Sequence, residues 1–132
     1  MIKRVIRITL AVREQEEALS FYTEKLGFEI RTDNPMGPGM RWLTVAPLEE
    51  RGLEIVLQPL EWFNGQEREE HAARIGHNPS IVFSVDNCRA TYAELASRGV
   101  EFSSVPEEMP YGVQAVARDL YGNSLVLLEP RH

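Results

Sequence analysis

Residues 6–28 read IRITLAVREQEEALSFYTEKLGF, and residues 81–100 read IVFSVDNCRATYAELASRGV. In the first stretch Ile6, Ile8, Leu10 and Val12 alternate with Arg7, Thr9 and Ala11, the period of a half-buried strand. From Arg13 to Leu26 the period becomes helical. Ala18, Phe21 or Tyr22, and Leu26 share one face, and Glu14, Glu16, Glu17, Glu24 and Lys25 share the other. Gly27 is suited to stop the helix. The second stretch repeats the order. Ile81, Phe83 and Val85 alternate, Asp86 or Asn87 is placed to cap, Cys88 to Arg98 is helical, and Gly99 stops it.

Each start is followed by three more strands. In the first half these are Phe28–Arg31, Met40–Ala46 and Leu53–Gln58. Asp33 to Gly39 reads as a loop, and Glu49 to Gly52 as a turn. In the second half they are Val100–Val105, Val113–Arg118 and Ser124–Leu128. Pro106 is expected to end the first of these, because proline cannot donate to a strand ladder. Asp119 to Asn123 forms the last turn, with Arg118 and Asp119 stabilising it.

The halves align at a nearly constant offset. Ile8, Leu10 and Val12 match Ile81, Phe83 and Val85 at 73 residues, and Gly27 matches Gly99 at 72. Such a repeat of element order is duplication. The expected architecture is α+β: two βαβββ modules that share a curved mixed sheet. The chain of 132 residues is then a single domain, with a first module at 1–60, a linker at 61–77 and a second module at 78–132. Within the linker, Gln66 to Ile75 is charged and expected to be a short helix.

Composition excludes several classes. Net charge is −6, with no dense basic patch, so neither nucleic acid nor an anionic membrane surface is an expected partner. No apolar run approaches the ~20 residues of a membrane span, and the N-terminus does not read as a secretory signal. The one cysteine, Cys88, excludes an internal disulfide framework. A cytoplasmic location is expected.

The pattern resembles the vicinal oxygen chelate superfamily, which includes glyoxalase I, bleomycin-resistance proteins, extradiol dioxygenases and fosfomycin-resistance enzymes. The matching residues are Ile8–Val12, Ala18–Tyr22 and Leu26–Glu29 in the first half. In the second they are Ile81–Asp86, Tyr92–Leu95, Arg98–Val100 and Arg118–Asn123. Leu120 stands where the family usually has proline. The resemblance implies helices on the convex side of the sheet, a ligand cleft on the concave side, and a homodimer.

The resemblance also implies four positions for metal ligands, two histidines and two acids. They fall on Arg7, Ser80, Val56 and Val126. Arginine does not deprotonate to coordinate, and valine has no donor atom. No metal and no other cofactor is therefore expected. The histidines offer no substitute set. His71 is expected to be solvated on the linker helix, His77 to bond locally in a loop, and His132 is terminal. Cys88 is expected on the buried stripe of its helix.

Strand parity, together with Trp42 in the third strand and Tyr111 just before the seventh, gives the expected cleft lining. Arg7, Thr9, Trp42, Val56, Gln58, Ser80, Val82, Tyr111 and Val126 are the expected ligand-binding residues. Arg7 could hold a carboxylate or phosphate, pair internally with Glu54, or project from the sheet edge. Trp42 and Tyr111 suit stacking on a flat ligand. Trp62 and Phe63 could line the cleft mouth or a dimer contact. Glu54 is the one carboxylate in the lining, hence the candidate general base. The reading is a glyoxalase/bleomycin-resistance-like protein that binds a small organic molecule in a metal-free cleft. The alternative is a divergent lyase, isomerase or dioxygenase of the same superfamily.

Overall fold

The alternation at residues 7–12 becomes strand β1 (Arg7–Val12), with Arg7 and Thr9 exposed and Leu10 and Val12 buried. The computed structural model describes residues 1–131, so His132 lies outside the described residues. Helix α1 (Gln15–Ser20) follows and continues as a π-helical segment, Phe21–Lys25. The helix thus starts two residues later than its period suggested and widens midway. Leu26 N–H donates to the Phe21 carbonyl at 3.3 Å, one residue further back than in an α-helix. Tyr22 in this segment is fully buried, with its ring 5.3 Å from Phe21 and 5.6 Å from Phe28. Gly27, at φ 77°, ends the helix as expected.

Strands β2 (Glu29–Pro35), β3 (Arg41–Ala46) and β4 (Glu54–Pro59) complete a sheet of order β1-β4-β3-β2. The β1–β4 pair is parallel and the others antiparallel. Gln15 ties the helix start to this sheet. Its buried amide donates to the carbonyls of Arg41 at 2.8 Å and Leu57 at 3.0 Å. Leu10, Val12, Leu43, Val45, Ile55 and Leu57 form the core with Ala18 and Tyr22. Each buried leucine or isoleucine contributes about 1.5–3 kcal/mol.

The expected loop at Asp33 to Gly39 is shorter. Asp33, Asn34 and Pro35 belong to β2, opposite Leu43, Trp42 and Arg41. Proline is tolerated there because β2 is an edge strand. Arg41 also binds the Asp33 carboxylate through two nitrogens, at 2.7 and 2.9 Å, and contacts Glu16.

A 3₁₀ turn (Leu60–Trp62) and helix α2 (Gly65–Arg74) follow β4. Residues 1–76 form one compact unit, and a second begins at His77. His71 is not solvated: it is fully buried. Its Nε2 lies 3.2 Å from the Val12 carbonyl, and Phe63 stacks on the ring at 4.6 Å. A carbonyl only accepts, so Nε2 carries the proton. The charge of α2 lies on its other faces, where Glu67, Arg68, Glu69 and Glu70 are exposed. His77 is exposed.

The second unit repeats the topology. Strands β5 (Ile81–Ser84), β6 (Glu101–Met109), β7 (Gly112–Arg118) and β8 (Ser124–Pro130) form a sheet of order β5-β8-β7-β6. The hydrogen bonding thus gives each module its own sheet, not a shared one. Helix α3 (Cys88–Ser97) is capped by Asn87, whose side chain accepts from Ala90 N–H at 3.0 Å. Cys88 is fully buried, as its position on the helix suggested. Pro106 does not end its strand. It lies inside β6, where the register shifts between Ser104 and Glu107. An irregularity on an edge strand needs no donor from proline. The last turn forms as expected: Asp119 Oδ1 accepts from Tyr121 and Asn123 N–H, and Arg118 donates to the Gly122 carbonyl. Among the described residues no helix is long and apolar enough to cross a membrane.

Candidate functional site

The face of the first sheet opposite its core carries the side chains with the most chemistry. The pairings Arg7–Glu54 and Thr9–Val56 on β1 and β4 set them side by side. Thr44 on β3 lies opposite Val56. On β2 the register shifts by one residue between Ile30 and Thr32. That bulge turns Thr32 onto the same face as Thr44, where strict alternation would have sent it to the core side.

Glu54 sits where these strands meet. Its Oε1 accepts from the Thr44 hydroxyl and from the Thr32 hydroxyl, the latter at 2.9 Å. The Thr44 bond first, then Thr32 and the nearby charges of Arg7 and Arg31, hold its carboxyl below the usual carboxylate range against the cost of burial. Glu54 is therefore ionised and a weak proton acceptor, which works against a general-base role. No hydrogen bond engages Oε2 among the described residues.

Arg7 does not form an ion pair with Glu54. Its guanidinium lies 6.0 Å from the centroid of the Trp42 ring, at cation–π distance. Trp42 stacks on Trp62, with centroids 6.2 Å apart and planes 9° from parallel. Both rings are partly exposed, and the Trp62 Nε1 donor is buried without a partner among the described residues. Val56 is buried, and Gln58 half-buried.

Six of the residues named from sequence thus belong to one sheet face: Arg7, Thr9, Trp42, Glu54, Val56 and Gln58. The other four belong to the second unit. Ser80 is exposed and just precedes β5. Val82 is 60% exposed and pairs with Val126, which pairs in turn with Val116. Tyr111, in the turn between β6 and β7, donates through its hydroxyl to Gln114 Oε1 at 2.9 Å.

Residues at the positions of the family's metal ligands do not fit a metal. Arg7 is a cation, Val56 and Val126 lack donors, and Ser80 offers one hydroxyl. Among the described residues no three His, Cys, Asp or Glu side chains cluster in a metal-binding arrangement. Three residues of the site escaped the sequence reading. Thr32 and Thr44 were not named, and Trp62 was placed only as a cleft-mouth or dimer residue.

Two βαβββ units, each with its first and last strands parallel and adjacent, define the class of fold. The chain belongs to the glyoxalase/bleomycin resistance protein/dioxygenase superfamily, whose family model matches residues 4–127. It is 36% identical over 131 residues to the uncharacterized protein YetH of Bacillus subtilis (strain 168), covering 98% of this chain and 100% of that one. Among solved structures, it resembles UcmS2 with a TM-score of 0.87 and 37% identity, over 98% of this chain and 99% of that one. It also resembles TnmS3, an antibiotic binding protein from Streptomyces sp. CB03234, with a TM-score of 0.76 and 31% identity over 98% of both chains.

Proposed function

We propose that this protein binds a small organic molecule with a flat ring system, without a metal, and that it does no chemistry on it. The observation that carries this reading is the partly exposed Trp42–Trp62 stack with the Arg7 guanidinium above it. Parallel aromatic rings beside a fixed cation suit a planar partner. The apolar and polar mix of Trp42, Thr9 and Gln58 is the usual lining of a small-molecule site. Similarity to an antibiotic binding protein supports the same reading. Glu54, held ionised by two threonine hydroxyls, favours binding over the lyase, isomerase or dioxygenase alternative. We further propose a homodimer in the cytoplasm, where a free buried thiol such as Cys88 is at home.

Both tryptophans of the chain are in the stack, so its intrinsic fluorescence reports on this site. Titration with 2-naphthoate should quench that emission to saturation, equally with and without EDTA. Absence of quenching, or its abolition by EDTA, would sink the proposal.

A further inference from the structure

The free atoms around the tryptophan stack have a definite polarity. Glu54 Oε1 is saturated, because two threonine hydroxyls occupy its two lone pairs. Oε2 of the same carboxylate remains an open acceptor on a half-buried, ionised group. Arg7, its register neighbour on the adjacent parallel strand, is exposed and engaged in no hydrogen bond or ion pair among the described residues. The site therefore shows a charged acceptor on β4 and, on the adjacent strand, a cation that reaches the Trp42 ring.

We infer that the ligand is an aromatic acid that also bears a hydroxyl, a deepening that rests on the binding reading above. The hydroxyl donates to Glu54 Oε2, and the carboxylate accepts from the Arg7 guanidinium, while the ring lies against Trp42. A hydroxyl meta to the carboxylate, as in the probe below, is kept from bonding to that carboxylate. A carboxylate acceptor and a guanidinium donor form the stronger, charge-assisted class of hydrogen bond. Thr32 and Thr44 are positioning residues: by taking Oε1 they fix which oxygen faces the ligand and keep it charged.

Glutamine at position 54 supplies a sharp test. Its carbonyl oxygen can accept from the same two threonines, which places an N–H₂ donor where Oε2 stood. The substitution therefore inverts the polarity of one atom and keeps the framework. The probes are 4-hydroxy-2-naphthoate and its methyl ether, 4-methoxy-2-naphthoate, read by tryptophan quenching. The wild-type protein should bind the hydroxy acid about tenfold tighter or more, since the ether leaves a charged acceptor unpaired. E54Q should abolish the preference, and R7Q should weaken the hydroxy acid about tenfold.

Equal affinities of the two probes for the wild-type protein overturn the inference, and this comparison needs no variant to fold. A preference unchanged in E54Q, with the variant's cooperative melt intact, overturns it as well. In both cases saturable quenching by 2-naphthoate leaves the binding reading standing. No quenching by any of the three overturns both.

Discussion

Asn123 Oδ1 accepts two hydrogen bonds from Asn78, one from its backbone N–H at 3.1 Å and one from its side-chain amide at 3.0 Å. The Asn123 amide in turn donates to Asp119 Oδ2 at 2.9 Å. One buried side chain thus pins the entry to β5 against the turn between β7 and β8.

Replacing Asn123 with alanine leaves these groups short of partners. Unfolding in urea should show a loss of about 2–3 kcal/mol. Asn123→Asp keeps the acceptor but sets a carboxylate against Asp119, and should be at least as damaging near neutral pH.

Two glycines with positive φ should respond differently to alanine. At Gly112, φ +148°, a Cβ would stand 2.2 Å from the Glu129 carbonyl oxygen, which is backbone held in the β7–β8 ladder. Gly112→Ala should cost about 3 kcal/mol or more. At Gly122, φ +89°, nothing lies within 4 Å, so Gly122→Ala should cost only the backbone strain, about 1–2 kcal/mol. Similar midpoints for the two variants would contradict this geometry.

Thr44→Val removes the bond that most lowers the Glu54 pKa and keeps the shape. A carboxyl whose folded pKa is depressed stabilises the protein above its unfolded value of about 4.5, and that stability is lost as pH falls through the folded pKa. The variant should lose about 1–2 kcal/mol at pH 7. It should also show a shallower decline than the wild-type protein below about pH 4.5. A melt series from pH 3 to 7 checks both slopes.

Burial, and the negative charge of Glu129 beside it, push the Cys88 thiol up from its ordinary value. Its Sγ lies 3.7 Å from the Leu127 carbonyl. At pH 8 an aromatic disulfide reagent should label it only as fast as the second unit opens, and at once in denaturant. Rapid stoichiometric labelling of the folded protein would refute the packed-thiol assignment.

His71 shows where local reading falls short. A helix with four charged neighbours around one histidine gives no sign that this residue meets Phe63 and the end of β1. The loop reading at Asp33 to Pro35 and the strand end expected at Pro106 failed for a similar reason. Both prolines lie on edge strands, and edge status depends on a sheet order that no short window contains. The strand alternations and the stops at Gly27 and Gly99 were legible because each depends on its own segment. On that sheet face, Arg7 and Glu54 follow from parity, and Trp42 was named from its place in the third strand. Thr32 was not, because a one-residue bulge changes its face and nothing at Arg31 announces it. Trp62 meets Trp42 only because the turn after β4 folds back over the sheet.

In each unit the first strand pairs with the last: β1 with β4, and β5 with β8. On a ribosome this order has a temporal meaning. When Arg7 to Val12 emerges, its partner Glu54 to Pro59 has yet to be synthesised, so the β2–β3 hairpin, like β6–β7 in the second unit, is available earlier than the parallel pair that closes each unit. The nascent first strand must therefore stay unpaired through most of its module's translation. The polar Arg7 and Thr9, alternating with its apolar residues, blunt association of that unpaired strand in the interval.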